Sequence, residues 1–180
     1  MIDKIKGLIF GQAIGDALGL ASEFMTKDEV KHFYPSGILS YDDMIQDRHR
    51  KLWEKGAWTD DTDQMLCILD SLIEHKTINL IDIAKRFVLW KGTNGIGIGR
   101  HTLNVLSIDE YTENPFKASE LVWNISRKKS AANGGIMRTP ILGCWNYTDW
   151  EQVKFNTENV CKLTHYDPRC VGSSVIITYI

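Results

Sequence analysis

No two cysteines of this 180-residue chain are spaced CxxC, and the four present, Cys67, Cys144, Cys161 and Cys170, are too sparse for a disulfide scaffold. Zinc-ligand spacing is missing as well. Small secreted disulfide frameworks and zinc modules are thereby excluded, and a reducing, cytoplasmic compartment is the expected setting. Charge of one sign is equally lacking: 21 Lys and Arg stand against 23 Asp and Glu, for a formal net charge of -2. Such a chain carries no general field that would draw it to nucleic acid or to an anionic membrane, and neither is expected as a partner. Long uncharged runs are absent too. Gly7-Leu8-Ile9-Phe10-Gly11 opens an apolar stretch, but Asp3, Lys4, Lys6 and Asp16 bracket it well short of the about 20 residues that a spanning helix needs. A buried helix of a soluble fold is expected there. Finally, no two runs read as strands joined by a hairpin turn.

What is present is helical periodicity. With 43% hydrophobic residues the chain can bury one substantial core, and its length predicts a single domain over residues 1–180. Ile5, Leu8, Ile9, Ala13 and Ala17 fall on neighbouring turns of a first helix, which also carries Gly7, Gly11, Gly15 and Gly19 as an i, i+4 ridge. Each internal glycine costs roughly 0.5 to 1 kcal/mol relative to alanine, so close approach of another helix, or room for a ligand, is expected to offset it. Neither accounts for Asp16 inside the ridge.

Thr26-Lys27-Asp28-Glu29 predicts a capping box and a short helix stopped near Pro35. Residues 36–55 show no clean period and read as a loop with a helical turn in 47–55. A further helix is predicted from Asp60 to His75, with Met65, Leu66, Ile68, Leu69, Leu72 and Ile73 as its apolar face. Asn79, Asn114-Pro115, a capping box at Thr148-Asp149-Trp150-Glu151, and Asp167-Pro168 each start another. The fold class is all-α.

Several residues could carry chemistry. Thr59-Asp60-Asp61-Thr62, with Asp63 next, stands at the positive end of the predicted 60–75 helix. One such residue suffices as a cap, and adjacent carboxylates repel each other, so the excess favours oxygen ligation of a hard divalent cation while leaving capping open. Glu23, at the end of the first helix, is either a solvated surface residue or a general base, according to what the fold places beside it. Asn133-Gly134-Gly135 offers amides that could cradle an anion at a helix start, with Arg138 one turn on, or is a glycine turn with no ligand. Gly95-Ile96-Gly97-Ile98-Gly99 has the wrong spacing and context for a dinucleotide fingerprint and reads as a loop lining a pocket. His165 is a ligand contact or the last residue before a cap.

In their order, Gly11-x-x-x-Gly15-Asp16-Ala17-Leu18-Gly19, Glu23, Trp58-Thr59-Asp60-Asp61-Thr62, Asn133-Gly134-x-x-Met137-Arg138 and Thr164-His165 resemble the ADP-ribosylglycohydrolase family. The resemblance implies an orthogonal bundle of α-helices with a centre of two magnesium or manganese ions. Its reaction would be cleavage of the glycosidic bond between ADP-ribose and a protein side chain or small acceptor. It further implies that Thr59, Asp60 and Asp61 are metal ligands, that Glu23 is the catalytic acid residue, and that Gly97, Asn133, Gly134, Arg138 and His165 line the ADP-ribose pocket. The family's second ligand group, an aspartate-x-aspartate-threonine segment, has no counterpart, since no aspartate follows Asp167. The domain is therefore expected to be incomplete at its C-terminus. Either a complementing chain or further sequence supplies the remaining ligands, or the chain is a degenerate ADP-ribose-binding or structural remnant, or it is the product of a truncated reading frame.

Overall fold

The computed structural model describes residues 2–179, and among them every regular element is helical. Eight α-helices are described: α1 (Ile2–Gly19), α2 (Lys27–Phe33), α3 (Asp60–His75), α4 (Leu80–Asn94), α5 (Arg100–Leu106), α6 (Pro115–Ile125), α7 (Trp150–Lys162) and α8 (Pro168–Tyr179). Short 3-10 turns at Leu20–Ser22, Tyr41–Asp43, Arg50–Leu52 and Pro140–Cys144 join them. Contacts divide the chain into two compact units, Met1–Thr62 and Asp63–Ile180.

In the first unit, Thr26 caps α2 as its sequence predicts. The Thr26 hydroxyl accepts from the Glu29 amide, and the Glu29 carboxylate accepts from the Thr26 amide at 2.7 Å. A small core of Leu20, Ala21, Tyr34 and Met44 is closed by Met25, Val30, Ile38, Tyr41, Ile45 and Trp53. The segment 36–55, without regular period, thus folds by packing its aromatic and aliphatic side chains against the end of α1. Gly56 makes this possible. Its φ is +81°, and a Cβ there would stand 2.9 Å from the Tyr41 ring.

The first helix departs from expectation. Ala17 is buried, Ile5, Leu8, Ile9 and Ala13 are half-buried, and Phe10 and Ile14 are exposed. A Cβ added at Gly7, Gly11, Gly15 or Gly19 would meet nothing within 4 Å. Among the described residues no neighbour closes on the glycine ridge, so the helix is not the buried one its composition suggests.

In the second unit the stripes of α3 and α4 bury most of their apolar residues, whereas Ile73 of α3 and Leu121 and Ile125 of α6, expected on buried faces, are exposed. Met65, Ile68 and Leu72 of α3 and Ile83, Ala84, Phe87 and Trp90 of α4 are buried. The Asn79 side chain accepts from the Asp82 amide, and that of Asn114 from the Lys117 amide. The cap of α7 lies one residue later than the predicted box: Asp149, not Thr148, accepts from the Gln152 amide. α7 packs on α8, and the 3-10 turn at Pro140–Cys144 packs on both. This turn replaces the helix expected after Gly135. It comes so close to α8 that a Cβ on Gly143 would lie 2.5 Å from the Thr178 carbonyl oxygen. The seven-residue α5 was not anticipated by periodicity, being under two turns of chain.

Candidate active site

Asp16 is the residue on which the first turn of α3 is built. Its carboxylate accepts from the Thr59 amide at 2.9 Å and hydroxyl at 2.7 Å, and from the Thr62 amide at 3.1 Å and hydroxyl at 2.7 Å. A free amide at a helix start is normally answered by the residue just before it, yet here the answer comes from 43 residues away on α1. The carboxylate also sits at the positive end of the α3 dipole. Sequence reasoning noticed Asp16 as unexplained and assigned it no role. The signal was its position, an acid inside a glycine ridge.

Because Asp16 serves as the cap, Asp60 and Asp61 are surplus to capping. Burial, then the charges of Asp61, Glu23 and Asp16, pushes the Asp60 carboxyl up to about 8. Burial, then the charges of Asp16 and Glu23, pushes Asp61 up to about 6. The Asp61 carbonyl accepts from Gln12 Nε2 at 3.1 Å, which ties the same turn to α1 a second time. The next acid along the helix has a different use: Asp63 accepts from the Trp90 indole at 2.9 Å and the Asn94 amide at 3.0 Å, fastening α3 to α4.

The donor set suits a hard divalent cation. Asp60 and Asp61 provide carboxylate oxygens in a negative, poorly solvated setting, and Thr59, whose proton goes to Asp16, keeps hydroxyl lone pairs for a ligand. Among the described residues no group of three or more His, Cys, Asp or Glu side chains is arranged to hold a metal ion. The turn is a partial cradle.

Glu23 follows the 3-10 turn after α1 with extended backbone, φ −55° and ψ 133°, and the next residue, Phe24, is left-handed at φ +60°. Two side chains of the loop hold it. The buried Arg50 guanidinium donates to the Ala21 carbonyl at 2.9 Å and to the Glu23 carbonyl at 2.6 Å, and it is steadied by an ion pair with Asp47. His49 Nε2 lies 2.7 Å from Glu23 Oε2. Arg50 and His49 were missed by sequence reasoning because residues 36–55 have no period to place them.

The remaining predicted residues belong to the second unit, and two of them, Arg138 and His165, join a buried network. Arg138 is fully buried: its guanidinium donates to Gln64 Oε1 at 2.7 Å, to Thr164 Oγ1 at 2.7 Å and to the Val160 carbonyl at 3.3 Å, and it lies 4.5 Å over the Phe87 ring. Thr164 Oγ1 also lies within hydrogen-bond distance of His165 Nδ1, at 2.8 Å. His165 Nε2 is buried with no hydrogen-bond partner among the described residues. Burial and the Arg138 charge hold His165 well below the usual histidine range. The His101 ring lies 4.7 Å away, its Nε2 donating to the Thr164 carbonyl and its Nδ1 accepting from Ser130.

Gly134 is glycine for a packing reason, since a Cβ there would stand 2.6 Å from His165 Cε1. Asn133 is exposed and borders a shallow recess of about 190 Å³ with Ile136, Arg169 and Cys170. Gly97 is exposed in the turn before α5 at φ +87°, a conformation that favours glycine. Within this unit, then, Gly134, Arg138 and His165 lie inside the fold, while Asn133 and Gly97 lie on its surface.

An all-helical chain with a doubled carboxylate on a helix-initiating turn, capped from another helix, defines a class of acidic-site helical proteins. Within that class the chain belongs to the ADP-ribosylglycohydrolase family, whose sequence model matches residues 1–180. It is 26% identical over 186 residues to an ADP-ribosylarginine hydrolase of Serratia proteamaculans, covering 99% of this chain and 46% of the relative. To the ADP-ribosyl-[dinitrogen reductase] glycohydrolase of Rhodospirillum rubrum it is 36% identical over 104 residues, 54% of this chain and 31% of the relative. An ADP-ribosylhydrolase of Gallus gallus is 25% identical over 167 residues, 90% of this chain and 45% of the relative. The chain thus spans about half the length, or less, of these relatives.

Proposed function

We propose that the chain acts in the cytoplasm in a hydrolase that cleaves the glycosidic bond between ADP-ribose and a modified protein side chain or small acceptor, its residues 1–180 forming part of one domain. The observation that carries this reading is the pair Asp60 and Asp61, pushed up to about 8 and about 6 on a turn whose cap is already supplied by Asp16. Carboxyls raised in this way are stabilised by a nearby positive charge. A divalent cation, magnesium or manganese, would be held by Asp60, Asp61 and the Thr59 hydroxyl, and when bound supplies Lewis-acid polarisation of a water or a ribose hydroxyl.

The residues themselves do the rest. Asp16 accepts the hydrogen bond of the Thr59 hydroxyl and so fixes the direction of its lone pairs. Glu23 takes a proton from the attacking water as positive charge builds at the anomeric carbon. Asn133 and Gly97 are assigned to ADP-ribose from exposed turns, and Gly134, Arg138 and His165 support the Asn133 segment from behind.

A second reading, an ADP-ribose-binding protein without catalysis, rests on the partial donor set, since among the described residues no three His, Cys, Asp or Glu side chains are grouped to hold a metal ion. Three oxygen donors on one turn hold magnesium only weakly, and two ions need more ligands than this. One experiment separates the two. The purified chain is given excess magnesium and an ADP-ribosylated arginine or serine peptide, and free ADP-ribose is measured. Release that disappears in Asp60→Ala supports the hydrolase; no release together with retained ADP-ribose binding, measured by calorimetry, supports the binding protein.

A further inference from the structure

The loop at residues 47–53 is built around Glu23. Asp47 Oδ1 accepts from the His49 amide at 3.0 Å and the Arg50 amide at 2.8 Å, so a single aspartate folds the turn that presents both side chains. Arg50, 2% exposed, spends its guanidinium on the main chain of residues 21–23. His49 takes the side chain. Its ring sits between those of Phe24, at 5.1 Å, and Trp53, at 5.3 Å, which fixes the direction in which Nε2 points. Main chain and side chain of one glutamate are therefore gripped by adjacent residues of one turn.

Stability does not account for the side-chain grip. The His49 and Glu23 side chains are 30% and 42% exposed, and an ion pair this open to water adds little to folding. Orientation does account for it. A glutamate side chain left to itself samples several rotamers, and a base that must meet one proton gains from being held in a single one.

We propose that His49 is a positioning residue for Glu23: its Nε2–H holds Oε2, fixing the carboxylate and leaving Oε1 for the proton. As a role in catalysis this rests on the hydrolase reading above, while the contact itself does not. Nothing reacts at His49.

Two measurements on the full chain test it. In the first, the Glu23 carboxyl-carbon shift and the side-chain couplings that report its rotamers are recorded by NMR at a single pH. A changed carboxyl shift and averaged couplings in His49→Phe are expected, and identical values in the two proteins overturn the proposal. In the second, kinetics on an ADP-ribosylated peptide are compared across variants. His49→Phe is expected to lower kcat about tenfold with KM little changed, as misplacement of a reacting group does. His49→Gln, which keeps a donor, recovers most of the loss, and His49→Phe adds nothing in a Glu23→Ala background. A kcat within twofold of the unsubstituted chain, or a full additional loss in Glu23→Ala, overturns the role. Should the unsubstituted chain release no ADP-ribose, the hydrolase reading fails by itself, and the carboxyl resonance alone decides whether His49 holds Glu23.

Discussion

The two units treat charge in opposite ways. On the first turn of α3, carboxyls stand close together in a setting where burial and like charge push Asp60 and Asp61 upward. In the second unit one cation, Arg138, is taken fully inside and answered by the Gln64 and Thr164 side chains, the Val160 carbonyl and the face of Phe87. The first arrangement leaves electrostatic work undone, which a bound ion could complete. The second pairs its cation inside the fold, and hydrogen bonds of this kind between buried groups favour a single packing. Burial and like charge together set the candidate site apart, and a paired internal cation sets apart the scaffold.

Removal of one group from each side sharpens the contrast. Arg138→Ala should have the largest effect, because it leaves Gln64 and Thr164 without their donor and opens a cavity beside Phe87. A loss of about 3 to 5 kcal/mol is expected from the denaturant midpoint, and a loss under about 1 kcal/mol would show that the network is not a scaffold. Asp16→Ala removes the cap of α3, with an expected loss of about 1 to 2 kcal/mol and weaker magnesium binding by calorimetry. Asp60→Asn should act in the reverse direction. With the like-charge repulsion relieved, the metal-free chain in chelator gains about 1 kcal/mol, read as a higher Tm; a lower Tm would remove the distinction between the units.

The smallest effect is in pH. His165 is held below its ordinary value near 6.5, so the unfolded chain binds this proton before the folded chain does, and stability falls as pH drops through about 6.5. One such group lowers stability by about 0.8 kcal/mol between pH 7.5 and 6. His165→Gln should flatten that part of the curve. Asp167, held well below the carboxylate range by its hydrogen bonds from Arg169, acts in the same direction in a lower window, below about pH 4.

Local chemistry made much of this legible beforehand. Thr26, Asn79 and Asn114 each cap a helix through an amide three residues on, a contact that sequence spacing encodes directly. The stripe of Met65, Ile68 and Leu72 likewise needs no knowledge of its partner to be read as a buried face. The order of motifs pointed to the family. What stayed hidden depends on contacts far apart in the chain. Nothing near Asp16 says that it caps a helix 43 residues on, and nothing near Arg138 says that its partner is Gln64, 74 residues back. Thr148 and Asp149 are both competent caps, so only the path of the chain chooses between them. The spacing of the glycine ridge allows helix contact or room for a ligand, and by itself it cannot tell a covered groove from an open one.

The Asp16 cap also couples two elements mechanically. One carboxylate grips Thr59 and Thr62 together, and Gln12 adds a second tie, so the first turn of α3 cannot turn or slide without carrying α1 with it. Any reporter on the exposed side of α1, a fluorophore in place of Phe10 for example, would therefore register an ion arriving at Asp60 and Asp61 from a distance, without occupying a ligand position or touching substrate.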